Sequence, residues 1–111
     1  MFLDWNKHTQ HVGSSFAKMV KNHPKMGIAY AALDEASAAE SLDKKTIELI
    51  SLAVAVTTQC ESCISIHAKA AKNAGATESE LVGALSTAIA MNAGATYTYS
   101  LRAIEAFDTQ D

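Results

Sequence analysis

Ten consecutive residues, Ile47-Glu48-Leu49-Ile50-Ser51-Leu52-Ala53-Val54-Ala55-Val56, constrain most strongly what this chain can fold into. Wound as a helix they are apolar on nearly every side, so the segment reads as a central helix that other elements must cover. The rest of the chain supplies helices to do so. It has 21 alanines, five glycines and one proline, with few strand-favouring aromatics, a mixture that favours packed helices over sheets. At 111 residues there is material for one core, and a single domain spanning residues 1–111 is expected. The fold class is all-α, a bundle of about six helices.

Local signals place the helices. The first runs from about Asp4 to Val20, with Trp5, Val12, Phe16 and Met19 on its apolar face. Asn22-His23-Pro24 interrupts it, and Pro24 suits the first turn of a second helix ending near Ala39. Asp43 is an N-cap for the central helix, Lys44 to about Thr57. A fourth helix carries Cys60 and Cys63 and ends near Ala74, with Gly75 just past its end. Thr77-Glu78-Ser79-Glu80 has the form of a capping box, opening a fifth helix that runs to about Asn92. Gly94 punctuates the pattern, and a sixth helix carries Tyr97, Tyr99, Leu101 and Ile104.

Charge and patterning exclude several classes of function. A net charge of −3 with scattered basic residues gives no footprint for nucleic acid. The first residues lack a basic region followed by an apolar one, so no secretory signal is expected, and the cytoplasm is the expected compartment. Leu81 to Leu101 is 21 residues long and carries no formal charge. Its serines, threonines, asparagine and two glycines suit a buried soluble helix pair better than a membrane span. Such Ala-rich, weakly polar surface also points to a homo-oligomer.

The chemistry is concentrated in Cys60-Glu61-Ser62-Cys63-Ile64-Ser65-Ile66-His67, which holds both cysteines of the chain. On a helix, His67 would lie about 40° around from Cys63 and about 20° from Cys60, so all three would share one face. Two thiols that close can exchange between dithiol and disulfide, and a neighbouring imidazole can take a thiol proton. Cys63, four residues before His67, is the better placed to lose its proton. Cys60, one turn earlier, is placed to resolve an oxidised Cys63. The helix's first turn adds its own stabilisation of a thiolate. Glu48, the one charge in the central run, is symmetric with His67 about Thr57-Thr58. A reversal there would bring the carboxylate to the ring and leave the other ring nitrogen for a thiol proton.

The pattern Glu48-x11-Cys60-x-x-Cys63-x3-His67, followed by Gly75-Ala76-Thr77-x-x-Glu80, resembles the AhpD-like branch of the carboxymuconolactone decarboxylase superfamily. The resemblance extends over roughly Leu42 to Tyr99 and is greatest to short, single-domain members. It implies an all-helical fold, trimers or hexamers, and reduction of hydroperoxides through the cysteine pair. Carried over by position, Cys63 is the peroxidatic cysteine, Cys60 the resolving cysteine, and Glu48 and His67 belong to the proton relay. It further implies regeneration by a dithiol donor, a lipoyl-bearing or thioredoxin-type protein, with no metal or organic cofactor. One departure stands out: where the best-studied branch has a second histidine before the peroxidatic cysteine, this chain has Ser62.

Blander readings compete with each assignment. A Cys60–Cys63 disulfide closes a very short loop and adds little stability as a purely structural bond. Zinc would suit the ligand types, but no second C-x-x-C or H-x-x-x-H accompanies the pair. Glu48 could pair with Lys44 or Lys45 on an exposed stripe. His8, His11 and His23 read as solvated or turn residues, and Tyr97 and Tyr99 as core or interface aromatics. Besides the peroxidase, two functions stay open: a protein disulfide reductase or redox relay, and a redox-sensing oligomer without turnover.

Overall fold

The computed structural model describes residues 1–38 and 40–111. The described residues form five helices: α1 (Trp5–Asn22), α2 (Pro24–Ser37), α3 (Lys44–Thr57), α4 (Glu61–Asn73) and α5 (Glu78–Thr109). The described residues form no strand, so the all-α expectation holds. The anticipated end of α2 near Ala39 lies outside the described residues.

Side chains set most of the boundaries. The Asp4 carboxylate accepts from the Lys7 N–H at the start of α1, and the Asp43 carboxylate accepts from the Thr46 N–H at the start of α3. Pro24 opens α2, where its missing N–H leaves nothing unpaired. Thr77 and Glu80 complete a reciprocal capping box at α5. Gly75, at φ +87°, closes α4: its N–H donates to the Lys72 carbonyl and that of Ala76 to the Ala71 carbonyl.

The expected sixth helix is not separate. α5 is continuous through Gly94, because a helical glycine between alanines costs only about 1 kcal/mol and no proline follows to break the ladder. Asn92, read as a terminus, instead braces the helix. Its side-chain amide donates to the Ala88 carbonyl at 2.7 Å and to the Thr57 hydroxyl at the end of α3 at 2.8 Å.

α3 packs against α4 and α5, while α1 packs against α4 and α2. The buried side of α3 is Glu48, Leu52 and Ala55. Coverage is less complete than its sequence suggests, since Ile50 and Val54 remain about half exposed. Two helices cannot enclose a third on every side. α1 and α2 contain no buried residue, and the far half of α5 presents Tyr97, Tyr99, Leu101, Ile104 and Phe107 outward. Tyr97 and Tyr99 are therefore not core residues of the single chain. The radius of gyration is 18.2 Å, where a compact chain of this length would have about 13 Å. No helix among the described residues is long and apolar enough to cross a membrane.

Gly75→Ala should destabilise the chain by about 1 kcal/mol in urea denaturation. An added Cβ would meet nothing within 4 Å, so the loss would come from the left-handed backbone alone. An unchanged midpoint would show that the α4–α5 corner relaxes freely.

Candidate active site

The turn between α3 and α4 builds the site. α3 stops at Thr57, Thr58 caps it, and Gln59 adopts φ 55° before α4 begins at Glu61. The left-handed region is uncommon for a residue with a Cβ, and nothing in the sequence marks Gln59 for it. The reversal lays α4 back along α3 and brings together two residues nineteen positions apart. Glu48 Oε2 lies 2.6 Å from His67 Nδ1.

Glu48 has a second partner, since the Lys44 ammonium donates to its Oε1 at 2.5 Å. The expected lysine pair and the expected histidine pair therefore coexist, at a buried carboxylate rather than on an exposed stripe. Burial on its own pushes this carboxyl up. The hydrogen bonds from Lys44 and His67 outweigh it and hold Glu48 below the ordinary glutamate range.

Cys60 and Cys63 are joined as a disulfide, with Cα atoms 5.2 Å apart. Cys60 is not inside the helix, as a single-face arrangement would require. It is the N-cap of α4, with extended backbone, and its Sγ accepts from the Cys63 N–H at 3.3 Å. A cap needs an extended backbone for its side chain to turn back onto the first turn. The sulfur consequently sits at the positive end of the helix dipole, with the Ser62 hydroxyl 3.5 Å away. Cys63 is in the first turn, and His67 follows it one turn later on the same helix.

Cys60 also opens onto a surface depression whose wall includes His8, Val56, Gln59, Glu61 and Ser62. His8 comes from α1, docked on α4 by the Thr9 and Ser65 hydroxyls, which bond to each other, and by the Ser65 hydroxyl donating to the Trp5 carbonyl at 3.2 Å. The reading of His8 as a solvated residue is corrected here. Its Nε2 is buried with no hydrogen-bond partner, and its ring meets Trp5 edge-on with centroids 6.2 Å apart. No sequence pattern pointed to it, because its neighbours come from helices far along the chain. His23 is a turn residue as expected, capping α2 by accepting from the Met26 N–H. Among the described residues, no three His, Cys, Asp or Glu side chains cluster closely enough to hold a metal ion.

This arrangement, a C-x-x-C disulfide at a helix start beside a buried carboxylate paired with a partly exposed imidazole in an all-helical chain, coincides with a known family. The sequence pattern of the carboxymuconolactone decarboxylase family matches residues 24–106. The chain belongs to that family and carries the cysteine pair of its AhpD-like branch. An uncharacterized protein of Haemophilus influenzae is 61% identical over 111 residues, covering 99% of this chain and 98% of its own. Uncharacterized protein 4 in the cox locus of Paracoccus denitrificans is 40% identical over 84 residues, covering 75% of this chain and 76% of its own. The crystal structure of an apo carboxymuconolactone decarboxylase family protein from Legionella pneumophila superposes with a TM-score of 0.75 at 34% identity, covering 94% of both chains.

The depressed carboxyl of Glu48 has a sign. A group whose folded value lies below its unfolded one contributes stability above the unfolded value, and that stability is lost as pH falls through the folded value. Wild-type protein should therefore lose stability below about pH 4.5, the ordinary glutamate value. Glu48→Gln should lose less over that window, although it starts less stable at pH 7. Urea midpoints for both proteins between about pH 7 and pH 3 measure the difference; parallel curves would show that Glu48 does not couple to folding.

Proposed function

We propose that the chain is a thiol-dependent peroxidase that reduces hydroperoxides by cycling Cys60 and Cys63 between dithiol and disulfide. The observation that carries this reading is the juxtaposition of a C-x-x-C disulfide with the hydrogen bond between buried Glu48 on α3 and His67, one turn after Cys63 on α4. In the reduced protein His67 takes the Cys63 proton, and Glu48 holds Nδ1 so that Nε2 faces that task. The Cys63 thiolate attacks a peroxide oxygen. The sulfur–oxygen bond forms, the O–O bond breaks, and the departing alkoxide takes the proton to become an alcohol. Cys63 is now a sulfenic acid. Cys60 attacks that sulfur, the S–O bond breaks, and hydroxide leaves with the Cys60 proton as water. A dithiol protein, of lipoyl or thioredoxin type, returns two electrons and two protons.

One equivalent of hydrogen peroxide added to the reduced Cys60→Ser protein should leave a sulfenic acid on Cys63, readable by mass spectrometry after trapping. Absence of that adduct in a folded protein, with activity on protein disulfides instead, would favour a disulfide reductase or relay. Absence of both would leave a redox-sensing role. Glu48→Gln should slow Cys63 oxidation at pH 7 by about tenfold, a loss in the usual range for general-base support.

The working form is a homo-oligomer, a trimer or hexamer. Support comes from the extended shape and from the apolar face of α5, where Tyr97, Leu101 and Ile104 are each more than half exposed. Light scattering at micromolar concentration should report a multiple of 11.8 kDa. A monomer would remove this part of the proposal.

A further inference from the structure

Each sulfur of the pair has its own imidazole neighbourhood. His67 follows Cys63 along α4, whereas His8 reaches the wall of the Cys60 depression from α1. His8 Nε2 is sealed from water without a hydrogen-bond partner, an arrangement that costs free energy and needs a reason. The oxidation state supplies one. A half-cystine sulfur carries no proton and can donate nothing, whereas a reduced Cys60 has an S–H to offer. With the ring proton on Nδ1, Nε2 presents a lone pair that the disulfide form leaves unused and the dithiol form can satisfy.

We propose that His8 is the general base for Cys60. It accepts the Cys60 thiol proton in the reduced protein, which makes Cys60 the nucleophile that closes the disulfide. The step balances: the Cys60 S–H bond breaks with its proton passing to Nε2, and the thiolate attacks the Cys63 sulfenic sulfur. The S–S bond forms, the S–O bond breaks, and hydroxide leaves with that proton as water. This assignment rests on the peroxidase reading for its place in the cycle, but not for the proton transfer itself.

The surroundings favour the role. Glu61 shares the depression and would stabilise an imidazolium, and the start of α4 stabilises the thiolate left behind. From α3 the wall contributes Val56, and from the turn Gln59, neither of which titrates. On α1, the Asp4 carboxylate is engaged with the Lys7 backbone and ammonium, and His11 lies one turn further on. The depression at the resolving cysteine therefore has a histidine in its wall although Ser62 occupies the position before the peroxidatic one.

Alkylation of Cys60 by iodoacetamide in the reduced Cys63→Ser protein, followed from pH 5 to 10 by mass spectrometry, isolates the proton transfer from peroxide chemistry. His8→Gln should move the midpoint of the Cys60 profile upward and slow alkylation at pH 7 by about fivefold or more. His8→Asn, which lacks a group at the Nε2 position, should do the same, so a single ill-folded variant does not decide the matter. His11→Gln, at an exposed position of the same helix outside the depression, should leave the midpoint in place. With both cysteines present, His8→Gln should oxidise Cys63 at the wild-type rate and accumulate its sulfenic acid, with disulfide closure slowed about tenfold. An unchanged Cys60 profile in both His8 variants, or an equal shift in His11→Gln, would overturn the assignment. A wild-type protein inert to peroxide whose Cys60 profile still depends on His8 would sink the peroxidase reading and leave His8 as the base.

Discussion

A carboxylate stands where helix packing alone would place a leucine. Glu48 is 4% exposed in the middle of the most apolar segment of the chain, and taking an unpaired carboxylate out of water costs several kcal/mol. Lys44, one turn earlier on α3, neutralises one oxygen, and His67 on α4 takes the other. The second partner fixes how α4 lies. For the imidazole to reach the carboxylate, α4 must fold back along α3 in one register, and that register sets where Cys63 and Cys60 stand. Removing either partner would leave a buried charge short of compensation, so the pair ties the redox site to the packing that supports it.

Much of this was legible in the sequence because it rests on local chemistry. Asp43 and the Thr77–Glu80 box mark helix starts through hydrogen bonds within four residues, Pro24 through its missing N–H and Gly75 through its left-handed backbone, and each does so in the structure. Even the Glu48–His67 meeting could be anticipated, since two helices joined by a tight reversal place residues symmetric about the turn side by side. What was not legible depends on relative strength or distance. Gly94 looks like punctuation, but its intrinsic penalty is smaller than the cohesion of a continuous helix. Gln59 takes a backbone conformation its side chain does not advertise. Cys60 looks like a helical residue, and only the cap geometry shows it as the residue before the helix. His8 meets the Cys60 wall through a packing of α1 on α4 that spans more than fifty residues, for which a single sequence holds no periodic sign.

The start of α5 illustrates how economically the polar groups are shared. Glu80 accepts the Thr77 N–H on one oxygen at 3.0 Å and meets the Lys45 ammonium with the other at 2.8 Å. One side chain thus both begins a 32-residue helix and fastens it to α3. Asn92 repeats the pattern further along, bonding within α5 and across to Thr57. α3 is held at both ends by residues that also serve their own helix, which keeps the floor of the site rigid while its apolar flank stays bare.

The attachment of α1 is of another kind. It meets α4 through the Thr9 and Ser65 hydroxyls and the Trp5 carbonyl, and neither α1 nor α2 buries a residue. Segments anchored by few apolar contacts open at low free energy, long before the whole chain unfolds. Amide hydrogens of α1 and α2 in the isolated chain should therefore exchange through local opening, and those of α3 and the front of α5 through global unfolding. The wall that surrounds Cys60 is in part this lightly anchored helix, so the local polarity at that sulfur depends on the docking of a segment distant in the chain.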